Sequence, residues 1–200
     1  AFNCPARLRT RPGKTHPAWH ASVRNLTRHI PRGAQTYWGI PFALGPADLA
    51  KKGLVELWNS GREVTVPLGA RATHVCVLHF CNVTDDRAQS SAGGQVLAEY
   101  VLQYVGGGEH TVCIRRRFEI QPFTAPWGYG AFAAMPSAMP TVAPSDRNAI
   151  PWGHLQTGVV SPGSPFLTWV YALENPYPER RLAGLVLRGL SDDPVGVLGI

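Results

Sequence analysis

Apolar and polar positions follow strand-like patterns along most of this chain, and one stretch alone repeats at helical spacing. Between Pro17 and Ile30 the residues Trp19, Val23, Leu26 and Ile30 recur three or four positions apart. Pro17 suits a first helical turn and Pro31 closes the pattern, so the spacing predicts one short N-terminal helix. Beyond it, YWGIPFALGP (37 to 46) reads as a strand closed by Gly45-Pro46, and residues 61 to 83 as a short strand, a turn and a long central strand. Residues 73 to 83 are apolar at both parities, the pattern of a strand covered on both faces.

Two runs around Gly106-Gly107-Gly108 predict a hairpin over residues 95 to 120. Strict alternation through its second arm puts Val112, Ile114, Arg116, Phe118 and Ile120 on one face and Cys113, Arg115, Arg117 and Glu119 on the other. Arg115 and Arg117 are therefore expected to point together, and Arg116 to point among apolar neighbours. Residues 121 to 151 show no periodicity and read as a long loop rich in Pro, Ala, Gly and aromatic residues.

Near the C-terminus, FLTWVYAL and RLAGLVLRGL flank Glu174-Asn175-Pro176-Tyr177-Pro178. Prolines at 176 and 178 lack an amide proton and force extended backbone on the residue before each, so the unit must be a bend between two strands. The final SDDPVGVLGI reads as a further strand or the start of a linker.

Composition supports a β-rich class. The 200 residues hold 21 glycines and 18 prolines with two methionines, which favours many turns and short strands over long helices. One core can be built from 44% hydrophobic residues, and a single domain is expected. The net charge of +6 is scattered, with only Arg115, Arg116 and Arg117 contiguous. That speaks against nucleic acid and leaves an acidic glycan open as a ligand. No apolar run reaches the roughly 18 residues of a membrane span, so a soluble chain is expected. The first residue is Ala1, which suggests processing or excision from a longer protein. Cys4, Cys76, Cys81 and Cys113 have no zinc-ligand spacing. Buried thiols are expected at 76, 81 and 113, with a Cys76 to Cys113 bridge as the alternative.

The order of YWGIPFALG, VPLGARATHVCVLHFCNV, AEYVLQYVGGGEH and ALENPYPERRLAGLVL resembles the galactose-binding-like jelly-roll domains that accompany carbohydrate-active enzymes. The resemblance covers most of residues 36 to 190. It implies a mostly β, jelly-roll β-sandwich over 36 to 190, preceded by an N-terminal segment (1 to 35) bearing the helix and followed by residues 191 to 200. It also implies an accessory role: binding carbohydrate or positioning a neighbouring catalytic domain. Similar domains often carry a structural calcium, which the sparse acidic residues here disfavour; no cofactor is otherwise expected.

The ligand residues are read from chemistry. Sugar recognition needs flat aromatic faces and oriented polar groups. Trp127 and Tyr129, near Phe132 in the long loop, with Trp152 and His154 at its far end, supply these. Arg115 and Arg117 on the adjoining strand can grip a carboxylate or sulfate. No catalytic or metal-ligating set emerges. His79 reads as a satisfied core histidine, His16 and His20 lack a third ligand, and neither a paired-carboxylate glycosidase site nor a Gly-x-Ser-x-Gly elbow is present. Glu99 and Glu174 are expected to pair with arginines such as Arg116. The alternatives to a glycan-binding module are a protein-interaction sandwich and a lyase or hydrolase subunit completed by another chain.

Overall fold

The computed structural model describes residues 31–45, 54–59, 63–82, 93–123, 130–138, 141–144, 157–160 and 167–200. The N-terminal helix, Cys4, His16 and His20 lie outside them. The described residues form thirteen strands and no helix.

Long β-branched and leucine-rich runs supply the central strands. In chain order the strands are β1 (Gly33–Tyr37), β2 (Ile40–Leu44), β3 (Val55–Leu57), β4 (Glu63–Pro67), β5 (His74–Cys81), β6 (Val96–Tyr104) and β7 (Glu109–Arg115). They continue with β8 (Ala134–Pro136), β9 (Thr141–Pro144), β10 (Thr157–Val160), β11 (Trp169–Glu174), β12 (Leu182–Gly189) and β13 (Val195–Gly199). One sheet runs β3-β13-β5-β11-β8 and the other β4-β12-β6-β7, with every strand pairing antiparallel. The pairs are nested: β3 lies beside β13, β4 beside β12, β5 beside β11, and β6 beside β7.

The inward faces of the two sheets meet in one core. Val75, Val77 and Leu173 come from the five-stranded sheet, and Tyr100, Leu102, Ile114, Leu185 and Leu187 from the four-stranded sheet. Each such side chain removed from water contributes on the order of 1.5–3 kcal/mol, so this β-sandwich is held mainly by hydrophobic burial. A second cluster covers the other face of the five-stranded sheet, where Phe42, Leu44 and Leu54 pack on Leu78, Phe80, Val170 and Leu198. β5 is thus covered on both faces, as its unbroken apolar run demands. Glycine is required where layers close up: a Cβ at Gly199 would lie 2.8 Å from Leu44 Cδ2, and one at Gly189 2.2 Å from the Trp58 amide nitrogen.

Several expectations are corrected. YWGIPFALGP is not one strand. Trp38 (φ 53°) and Gly39 (φ 76°) reverse the chain between β1 and β2. Positive φ at both central residues belongs to a tight hairpin turn, and a tryptophan in the first place hides that signal. Its indole N–H instead donates to Pro136 O (2.8 Å), tying the hairpin tip to β8. Residues 121 to 151 are not all loop, since they contain β8 and β9. Of the two readings of the C-terminal segment the strand holds: it forms β13, which lies between β3 and β5 and so belongs to the sandwich. The Cys76 to Cys113 bridge is absent: both thiols are free, on the outer faces of different sheets, and Cys113 is exposed rather than buried.

The Asn-Pro-Tyr-Pro unit is a bend, as expected, and it carries the chain from β11 in one sheet to β12 in the other. Asn175 organises it. Its amide N–H donates to Thr73 O (2.8 Å), its side-chain Nδ2 to Ala72 O (2.8 Å), and its Oδ1 accepts from Tyr104 Oη (2.8 Å) and Tyr177 N (3.0 Å). A buried side chain that satisfies its donors and acceptors on three segments fixes their relative position.

Candidate functional site

The three consecutive arginines stand where β7 ends, and each goes a different way. Arg116 turns inward, 3% exposed, and its guanidinium meets Asp193 Oδ2 at 2.5 Å, Gln95 Oε1 at 3.3 Å and Cys81 Sγ at 3.8 Å. Burying a guanidinium without a counter-charge would cost several kcal/mol, so Asp193 is its necessary partner. The expected partners Glu99 and Glu174 do not fill that role; Glu99 lies 3.9 Å from Arg188. Arg117 then adopts φ 72°, which breaks the strand alternation and folds residues 116 to 120 into a tight turn. Within it Arg117 N donates to Ile120 O (2.8 Å), and Phe118 N and Glu119 N both donate to Arg115 O (3.1 Å).

The turn explains why alternation misplaces Arg115 and Arg117. They do not share a strand face; they are brought near each other by folding back. Arg115 points out and is held by Glu119 through Nη2 (2.6 Å) and Nε (3.2 Å), while its backbone N–H donates to Glu119 Oε2 (2.8 Å). Those bonds favour the charged form and raise the Arg115 pKa further. Its guanidinium stacks 4.5 Å from the Phe118 ring centre. Phe118 in turn meets Phe132 at 5.5 Å, and the Arg117 guanidinium lies 5.8 Å from the Phe132 ring.

Backbone bonds clamp the segment bearing Phe132 onto the turn: Phe132 N donates to Arg117 O (3.0 Å) and Ala133 N to Phe118 O (2.8 Å). Phe132 is nevertheless 73% exposed. The result is a surface row of Arg115, Phe118, Phe132 and Arg117, two adjacent rings with a cation at each end.

The row is anchored to the core through Glu119. Its backbone oxygen accepts from His79 Nε2 (2.9 Å), which leaves His79 Nδ1 to accept from Tyr100 Oη (2.8 Å). Both His79 partners are met by the neutral ring, and complete burial lowers its pKa to about 4. His79 is therefore the satisfied core histidine expected of it. Burial likewise pushes the Cys81 thiol up to about 12 although Arg116 lies beside it, so this cysteine is not a nucleophile at neutral pH.

Of the residues singled out by sequence, Arg115 and Arg117 belong to this row, whereas Trp127, Tyr129, Trp152 and His154 lie outside the described residues. Sequence reasoning missed the roles of Phe118 and Glu119. The four-residue spacing of Arg115 and Glu119 was the available signal, but it is legible only once the strand is known to stop at Arg115. Among the described residues no group of three His, Cys, Asp or Glu side chains converges, and Asp193 is engaged by Arg116.

The opposite end of the sandwich carries a second arginine and aromatic cluster. Arg180 lies 4.4 Å from the Tyr104 ring and 5.9 Å from Tyr177, and it donates to Gly107 O in the triple-glycine turn. Here the half-buried guanidinium bridges bend and hairpin.

Comparison of the chain with protein-family models, curated proteins and solved structures finds no match.

Proposed function

We propose that this chain is a non-catalytic module that binds carbohydrate through the row Arg115, Phe118, Phe132 and Arg117, in a jelly-roll sandwich similar to galactose-binding-like domains. The nested strand pairing supports the jelly-roll reading, because winding one long hairpin around a core places first beside last and so inward. The observation that carries the function is the Phe132 ring, 73% exposed yet held at its backbone by the turn. A preformed flat ring suits the apolar face of a pyranose, and flanking guanidinium groups donate hydrogen bonds to hydroxyls or acidic substituents.

Affinity electrophoresis against neutral and acidic polysaccharides tests this reading, with Phe132→Ala and Arg117→Ala alongside the parent chain. Retardation by a glycan that Phe132→Ala weakens about tenfold, or roughly 1.4 kcal/mol, supports it. Unchanged retardation of Phe132→Ala removes this row from consideration.

A second reading has its own observation. Trp38, Phe132 and Met135 are all exposed along the β8 side of the sandwich, and exposed apolar groups of this size also suit docking to a neighbouring domain. No retardation by any glycan would favour it.

A further inference from the structure

Among the described residues β7 pairs only with β6 and ends its sheet. Such an edge offers unpaired backbone groups, which proteins usually protect with proline, lysine or a bulge. Residues 109 to 114 of β7 contain neither proline nor lysine.

The ladder shows which groups face outward. At the hairpin Tyr104 N donates to Gly108 O (3.2 Å) and Gly107 N to Tyr104 O (3.0 Å). Alternation from that point directs the amides and carbonyls of His110, Val112 and Ile114 toward β6, and those of Glu109, Thr111, Cys113 and Arg115 away from it. The far end agrees, because the outward Arg115 N–H is capped by Glu119 Oε2. The open edge therefore runs from Glu109 to Cys113, and the side chains of Glu109, Thr111, Cys113 and Arg115 are exposed.

This sequence is complementary to itself. We propose that a second copy of this chain pairs antiparallel along β7, with the two-fold axis at Val112. Thr111 then faces Cys113 of the second copy and exchanges both backbone hydrogen bonds with it, and symmetry repeats the exchange. Glu109 faces Arg115 of the second copy, whose Nη2 and Nε keep Glu119 and whose Nη1 is left to meet Glu109, so each end of the ribbon carries an opposite-charge pair. Shifting the axis to Thr111 or Cys113 keeps the hydrogen bonds but loses both charge pairs, so charge selects the register. The two Arg115 side chains would stand about 20 Å apart along the ribbon.

Sedimentation velocity of the full chain without ligand, from micromolar to millimolar, tests the pairing independently of any glycan. A concentration-dependent dimer is expected. Thr111→Pro should abolish it while leaving the fold intact, since that N–H points away from β6 and bonds nothing among the described residues. Glu109→Arg should weaken it about tenfold in Kd, and this variant decides the matter if Thr111→Pro does not fold. Under mild oxidation Thr111→Cys should yield a covalent dimer in which peptide mapping finds the introduced thiol joined to Cys113 of the second copy. A monomer at every concentration, a dimer indifferent to Glu109→Arg, or a link joining only the two Cys113 residues would overturn the proposal.

Discussion

The two ends of the sandwich use the same residue types for different purposes. At the bend end, Arg180 stacks on Tyr104 and Tyr177 and is tied to Gly107, while Asn175 bonds three segments. Its charge and hydrogen-bonding capacity are used internally. At the turn end, Arg116 and His79 make the internal ties, and Arg115, Phe118, Phe132 and Arg117 are left as a surface row. An arginine on an aromatic ring is thus a brace where it also bonds a second backbone segment, as Arg180 does at Gly107 O, and part of a presented surface where a ring such as Phe132 stays 73% exposed. The turn end separates holding from presenting, which is what a pre-organised site requires.

That contrast can be broken most sharply at Asp193. Asp193→Ala leaves the Arg116 charge buried opposite no carboxylate and should cost about 3–5 kcal/mol in urea unfolding. Arg116→Met combined with Asp193→Leu should recover most of that loss, because the penalty comes from the unpaired ion rather than from missing attraction.

Acid should next weaken the turn end. The folded pKa of His79 is lowered from 6.5 to about 4, so between those values the unfolded chain binds a proton that the folded chain refuses. Its contribution is fully present above pH 6.5 and is lost as pH falls toward 4, about 3 kcal/mol in all. Thermal melts across that window should show the loss, and His79→Gln should flatten the part of the profile due to this group. An unchanged slope in His79→Gln would detach the histidine from the acid response.

Asn175→Ala at the bend end removes the Tyr104 and Ala72 partners together and should cost about 2–3 kcal/mol. Tyr104→Phe, which deletes one of those bonds, should cost about 1 kcal/mol by the same urea measurement. The smallest effect on stability belongs to Phe132→Ala, within about 0.5 kcal/mol of the parent. A larger loss would show that Phe132 braces the turn as Arg180 braces the bend, and the contrast between the ends would disappear.

Legibility in the sequence followed the range of the interaction. The hairpin around Gly106 to Gly108, the doubly covered β5 and the bend at Asn175 were read correctly, since glycine and proline constrain the backbone where they stand and an apolar run reports its own burial. The hairpin at Trp38-Gly39 was not, because its unusual turn residue is retained by a contact with Pro136, far away in the chain. Continuing β7 to Ile120 failed for a similar reason: RRRFE alternates acceptably as a strand, and Arg116 does point inward as that alternation places it, but Arg117 takes φ 72° and turns the chain back, held by bonds to Ile120 O and from Phe132 N.

By itself, then, the sequence determined a β-rich chain, the positions of its sharpest turns and the strands that must be buried, because backbone stereochemistry and hydrophobic period act within a few residues. Which strands became neighbours, which carboxylate met the buried Arg116 and which aromatic ring stayed in solvent were decided only in the tertiary structure. Those outcomes depend on partners distant in the chain, such as Asp193 for Arg116 and Tyr100 for His79, whose charge and hydrogen bonds act only once the two sheets have closed on one another.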